Sequence, residues 1–434
     1  MAAEGYEGVL VYFGCAGWLK RVYNKVEHEM IETVKMTKSV GRDSRRIIHS
    51  IKVALAITLA SFFYYFKPLY DSFGASAIWA IITVIVVFEF SVGATIGKGL
   101  NRMIATILGG ALGFGTHYLA NLCGDKGQPL ILGALVFVVA AIATFMRFFP
   151  SMKARYDYGL LIFILTFSMV AVSSYRDDEV LKLASDRFLT IVIGSFIAVS
   201  ICIFVCPIWI GNDLHDQLVN NVENLATFLQ EFGAQYFRSS QGVEQVNKAS
   251  MHKYKTILTS KQSEESMANL ARWEPGPRKF GFRHPWKQYL NISSSTRECA
   301  YRVRVLDVYL ENNDQIQIES QFKEEFLRMC NESAKALKEV AMAIKKMAPP
   351  ALASAHIERA KATTEHLSSL LANHRFVGLE MIPTATLVSL LIDLLCCIEK
   401  VADCTRELGC VANLRRGESL GAVVPAADQD LIHV

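Results

Sequence analysis

Four basic residues stand where long uncharged stretches begin or end: Lys98, Arg102, Arg147 and Arg187. Arg102 leads into Met103–Gly124 and Arg187 into Phe188–Asn212, while Arg147 closes Gly127–Met146. Lys98 and Arg102 are four residues apart and share a face if that segment is helical. A cation at the centre of a bilayer costs about 2.5–3.5 kcal/mol on insertion scales. It is tolerated there when it faces a watery path, a counter-charge or headgroups. Rings of Lys or Arg are the usual device for an anion pore, because they replace the water shell that the anion loses. Basic residues at span ends also snorkel to phosphates and merely fix orientation, a reading that applies equally to Lys98, Arg147, Lys153 and Arg155. Arg102 and Arg187 are the better anion-binding candidates. They fall at opposite ends of a transmembrane axis, so an anion could pass from one to the other. Glycines at 93, 97, 99, 109, 110, 113 and 115 permit close helix approach or a broken helix at this depth. Glu89 reads as a counter-ion for Lys98, Arg102 or Lys52 rather than as a proton relay.

The elements that must position these groups are apolar runs of spanning length. Tyr158–Tyr175, Gly127–Met146, Met103–Gly124 and Phe188–Asn212 contain no Asp, Glu, Lys or Arg, and a spanning helix needs about 20 apolar residues. Ser72–Phe88 and Ile51–Phe66 bring the expected count to six crossings. Lys and Arg number 14 in the N-terminal arm and the turns after spans two and four, against 5 in the alternate loops, so both termini are expected in the cytoplasm.

The sequence predicts an all-α chain. Residues 1–46 form a cytoplasmic arm, 47–211 a six-helix transmembrane domain, 212–410 a cytoplasmic helical domain and 411–434 a flexible tail. Leu218, Val222, Leu225, Leu229 and Phe232 make one apolar stripe at helical spacing. Further helical periodicity runs over 298–310, 317–347, 352–373 and 377–408. Residues 238–285, polar and rich in Gly and Pro, read as a long loop or an irregular excursion.

Composition narrows the function classes. The chain has 434 residues and is 52% hydrophobic, with a formal net charge of +4. The first 210 residues carry 19 basic and 14 acidic groups, while the remainder is close to neutral. A basic excess confined to the apolar part fits anions or a cytoplasmic leaflet, and not nucleic acid. The ten cysteines form no CxxC framework and read as reduced and structural. The N-terminal fifty residues lack the pattern of a secretory leader. Dispersed histidines (His49, His117, His215, His284) give no metal spacing, and no nucleophile–base pattern or phosphate-cradling loop occurs. An enzyme is not expected, and no cofactor is implied.

Longer motifs carry a family likeness. Ala80–Thr95, Gly97–Arg102, Thr144–Pro150, Lys153–Gly159, Ile162–Phe167, Cys206–Trp209 and Asp213–His215 resemble the aluminium-activated malate transporter family of plants. The likeness continues at Trp273-Glu274-Pro275 and Phe282–Trp286, and so covers nearly the whole chain. It implies an anion channel passing malate and often inorganic anions, a homodimer with six spans per subunit, and a helical cytoplasmic domain. Its basic pore residues match Arg102 and Arg187, with Lys98 close by. Trp273, Glu274 and Pro275 match a cytoplasmic signature whose acid is linked to gating. Pro275 disfavours helix at Glu274, so the carboxylate is expected on a fixed turn, against Arg283 or Lys287. Activation by a trivalent cation would need clustered outer-face carboxylates, for which Asp71, Asp177, Asp178 and Glu179 are the candidates. Lys182 stands one turn beyond Asp178, where a further acid would strengthen such a site, and a solvated acidic loop is the simpler reading.

The sequence therefore points to a passive channel for malate and small inorganic anions, in contact with membrane lipids, its pore lined from two subunits. A proton-coupled carrier using Glu89 or His117 and a membrane-anchored helical scaffold are the alternatives. The short N-terminal arm favours the plasma membrane over the vacuolar membrane, by family likeness alone.

Overall fold

The structure, a computed structural model, describes residues 43–66, 78–121, 127–173, 180–237, 254–275, 285–311, 320–373 and 382–421. It is all-α, with thirteen helices and no strand among the described residues. The chain divides into two units, residues 1–209 and 210–434.

The first unit holds α1 (Asp43–Tyr65), α2 (Ile78–Val87), α3 (Val92–Asn121), α4 (Gln128–Met146), α5 (Pro150–Ser173) and α6 (Val180–Phe204). Of these, α1, α3, α4 and α5 are long and apolar enough to cross a membrane, while Ile78–Val87 and Phe188–Phe204 are shorter apolar helices. Phe137, Phe145, Phe148 and Phe196 are among the large apolar side chains left exposed on this unit, as a lipid-facing surface requires. Glycine lets α3 and α5 meet backbone to backbone. A Cβ on Gly109 would stand 2.9 Å from the Phe163 carbonyl oxygen, and one on Gly113 2.9 Å from Val170 Cβ. These glycines are four apart, the spacing of close transmembrane contacts. The turn between α2 and α3 is fastened locally. Ser91 Oγ accepts from the Ala94 amide at 3.3 Å, an N-cap bond, and Thr95 Oγ1 accepts from the Glu89 amide at 3.0 Å.

The second unit holds α7 (Ile210–Phe237), α8 (Tyr254–Leu258), α9 (Lys261–Ala271), α10 (Trp286–Glu311), α11 (Ser320–Lys346), α12 (Ala353–Asn373) and α13 (Ile382–Gly421). The stripe Leu218, Val222, Leu225, Leu229 and Phe232 is buried in one core with Phe322, Phe326, Leu337 and Ile398. Two expectations change. The segment expected as a long loop contains α8 and α9, which Tyr254, Ile257, Ala268 and Ala271 anchor in the core. Helix α13 runs on to Gly421, past the boundary expected at Cys410, with Ala412 buried.

Candidate functional site

Arg102 sits on the third turn of α3 and is only 5% exposed. Its Nη1 donates to the Tyr158 hydroxyl of α5 at 3.1 Å. Its Nε is buried with no acceptor, and so is Thr106 Oγ1, one turn further along α3. Both residues line a cavity of about 340 Å³ whose other walls include Trp79, Phe114, Ile162 and Met169. No ion pair to Arg102 occurs among the described residues. A buried guanidinium without a counter-charge carries a desolvation penalty of several kcal/mol, and unmade hydrogen bonds add to it. An anion or a water molecule in the cavity would supply the missing acceptors.

Helix α6 reaches the same cavity through Ser185, Phe188 and Ile191. Arg187 lies between the first two on that helix, and its side chain is outside the described residues. Lys98, one turn before Arg102, pairs with Glu89 and holds its ammonium 5.5 Å from the centroid of the Tyr158 ring. Glu89 is thus the counter-ion that its position implied, and Tyr158 touches both cations of α3. Arg147 stands apart from the cavity and forms an ion pair with Asp157 at 2.7 Å. Its charge is matched locally, unlike that of Arg102.

Thr106 and Tyr158 went unnoticed in the sequence reading. Thr106 extends the Lys98–Arg102 spacing by another four residues, a signal that was available. Tyr158 lies in the Lys153–Gly159 motif, but only the packing of α5 against α3 shows which residue it serves.

In the second unit, Glu274 follows α9 in a turn where its amide donates to the Ala271 carbonyl at 3.2 Å. Its carboxylate accepts from the first amides of α7, with Ile210 N at 2.7 Å and Gly211 N at 3.3 Å. Of the basic partners expected for it, Arg283 lies outside the described residues. A carboxylate here satisfies amides that have no partner inside the helix and complements the positive end of the helix dipole. Trp273 continues the same turn, its amide donating to Leu270 O at 3.0 Å, and Pro275 follows it, exposed. Gly211 leaves room for the clasp, since a Cβ there would stand 2.8 Å from the Trp286 ring and 2.9 Å from Glu274 Oε2.

Asp71, Asp177, Asp178 and Glu179 lie outside the described residues. Among the described residues no three His, Cys, Asp or Glu side chains are grouped to hold a metal.

The chain matches the family model "Aluminium activated malate transporter" over residues 37–381. It is 44% identical over 417 residues to aluminum-activated malate transporter 2 of Arabidopsis thaliana, covering 92% of this chain and 83% of that protein. It is 44% identical over 397 residues to transporter 1 of the same plant, with 88% and 80% covered. Identity to aluminum-activated malate transporter 1 of Triticum aestivum is 39% over 402 residues, with 90% and 87% covered. The apolar helices of the first unit and these relatives agree on a multi-pass membrane protein. The chain belongs to the aluminium-activated malate transporter family.

Proposed function

We propose that the protein is an anion channel through which malate and smaller inorganic anions cross passively. Its path is lined by Arg102 and Arg187 from each subunit of a homodimer, with Lys98, paired to Glu89, close by. The observation that carries this reading is Arg102, buried and with no counter-ion among the described residues, its Nε and Thr106 Oγ1 unsatisfied in a mostly apolar cavity. Such a site favours a negative solute and disfavours a cation. The relatives' names supply the substrate, malate.

Support for a channel over a proton-coupled carrier comes from the two protonatable candidates. Glu89 is paired with Lys98, and His117 shares a 3.0 Å hydrogen bond with Asn121. The basic bias of the N-terminal arm and alternate turns supports cytoplasmic termini. Membrane voltage then contributes about 2.3 kcal/mol per charge per 100 mV. Glu274, holding the start of α7, is the proposed gating element, with Trp273 and Pro275 fixing its turn. Asp71, Asp177, Asp178 and Glu179 are the proposed outer-face cation site.

The test is malate flux into liposomes and patch-clamp current from the same protein. Arg102→Ala is expected to lower malate current by about tenfold or more, the scale set by one lost charge-assisted contact. Reversal at the anion Nernst potential, unaffected by a pH gradient, is expected of the wild type. Unaltered current and selectivity in Arg102→Ala would remove the site from the mechanism.

A further inference from the structure

A second cavity, of about 540 Å³, opens between α3, α4 and α5 on the side of α3 away from Arg102. Its lining is apolar along nearly its whole length, including Leu108, Leu112, Ile142 and Phe163. Leu108, Leu112 and Ile142 are among the exposed large apolar residues, so the groove is open at its side.

One end differs from the rest. There the lining residues are Asn101 of α3, Met146 at the end of α4, and Met152 and Tyr156 in the first two turns of α5. Each of these has a basic chain neighbour: Arg102, which lines the other cavity, follows Asn101, while Arg147 follows Met146, Lys153 follows Met152 and Arg155 precedes Tyr156. Arg147 is occupied by Asp157. Lys153 and Arg155 are exposed and make no ion pair among the described residues. Asn101 closes the groove at this end and fixes the backbone beside it, since its Nδ2 donates to the Arg155 carbonyl at 3.0 Å.

An apolar slot with two exposed cations beside its end residues has the charge pattern of an amphiphile with a negative head. We propose that the groove holds an acyl chain of an anionic phospholipid, whose phosphate rests on Lys153 and Arg155. The proposal rests on the multi-pass reading with the α4–α5 turn at the cytoplasmic leaflet, where anionic lipids concentrate. A second copy of the chain fits the slot less well. The one acid of this turn, Asp157, is already taken by Arg147, so nothing at this end would neutralise the cations of a docking subunit. The lipid would brace α4, of whose residues only Leu132 and Ala143 are buried by the protein itself.

The experiment is native mass spectrometry of the full-length protein exchanged into micelles holding equal phosphatidylserine and phosphatidylcholine. Wild type should retain phosphatidylserine preferentially. Lys153→Ala/Arg155→Ala, both exposed and harmless to folding, should reduce that preference by about tenfold. Leu108→Trp should fill the slot and reduce retention of both lipids. Equal retention of the two lipids by wild type, or an unchanged preference in the double variant, would overturn the proposal. So would efficient cross-linking of Leu108→Cys to a second copy in membranes, which would make the groove a subunit junction. Lipid retention is read without flux. A protein that binds lipid but conducts nothing would defeat the channel reading alone, and one that conducts without lipid preference would defeat this proposal alone.

Discussion

The Arg102 guanidinium is held on one side only, by a 3.1 Å hydrogen bond from its Nη1 to the Tyr158 hydroxyl, while its Nε has no acceptor. Tyr158 aims the charge without neutralising it. A carboxylate in place of the phenol would form an internal ion pair and leave little attraction for a passing anion. The tyrosine keeps the guanidinium in position and available.

Tyr158→Phe is therefore expected to lower malate current by about three- to tenfold, the range for a lost hydrogen bond to a charged group. Surface expression should be unchanged. Because the phenol acts through Arg102, adding Tyr158→Phe to Arg102→Ala should reduce current no further, a coupling that a double-mutant cycle reads directly. Additive losses would show that Tyr158 serves something else, with Lys98 the first place to look.

Glu274 and Gly211 make a second linked pair. Glu274→Ala removes the acceptor for two α7 amides and should cost about 0.5–2 kcal/mol of local stability, the usual scale for a lost helix cap. Amide exchange at Ile210 and Gly211 should quicken and channel activity fall, with Glu274→Gln intermediate. Gly211→Ala reaches the same end by steric means, because its methyl group would crowd the Trp286 ring. Fast exchange with normal current would separate the clasp from gating.

A pH dependence follows from Glu332 on α11. Its carboxylate, largely buried, accepts from Lys335 and His356 at 2.7 Å each and from Arg359 at 3.2 Å. Burial pushes its pKa up, but the Lys335 and His356 bonds outweigh that and leave it below the usual glutamate value. A depressed carboxylate pKa stabilises the fold above the unfolded value and loses that contribution as pH falls through the folded one. The second unit should then unfold more readily below about pH 4. Glu332→Gln should lower the melting temperature at pH 7 and flatten its decline in acid. An identical pH profile in the variant would assign the acid sensitivity to other carboxylates.

The architecture was legible in the sequence where single residues carry clear physical meaning. Uncharged runs around Met103–Gly124 and Gly127–Met146 became helices because unpaired backbone polar groups are too costly in an apolar setting. The stripe from Leu218 to Phe232 could be buried on only one face. Helices α8 and α9 were not legible, since each is short and depends on a few anchors such as Tyr254 and Ala268 meeting a distant core. Arg102 was legible as a charge next to an apolar run. That no described residue pairs with it was not, because the choice of Glu89 by Lys98 and of Asp157 by Arg147 is made in three dimensions. The partners of Glu274 were hidden for the same reason. A carboxylate near basic residues invites an ion pair, and nothing in the local sequence announces the amides of a helix more than sixty positions earlier.

Helix α13 has one stretch, Ile382–Ala412, apolar enough by composition to cross a membrane, yet its Leu387, Leu391, Leu394, Ile398 and Val401 are buried in the core of the second unit. During synthesis α7 and α11 leave the ribosome before this segment does. Prompt assembly of that bundle would keep it from the translocon. An extra crossing there would carry the chain terminus to the opposite side of the bilayer.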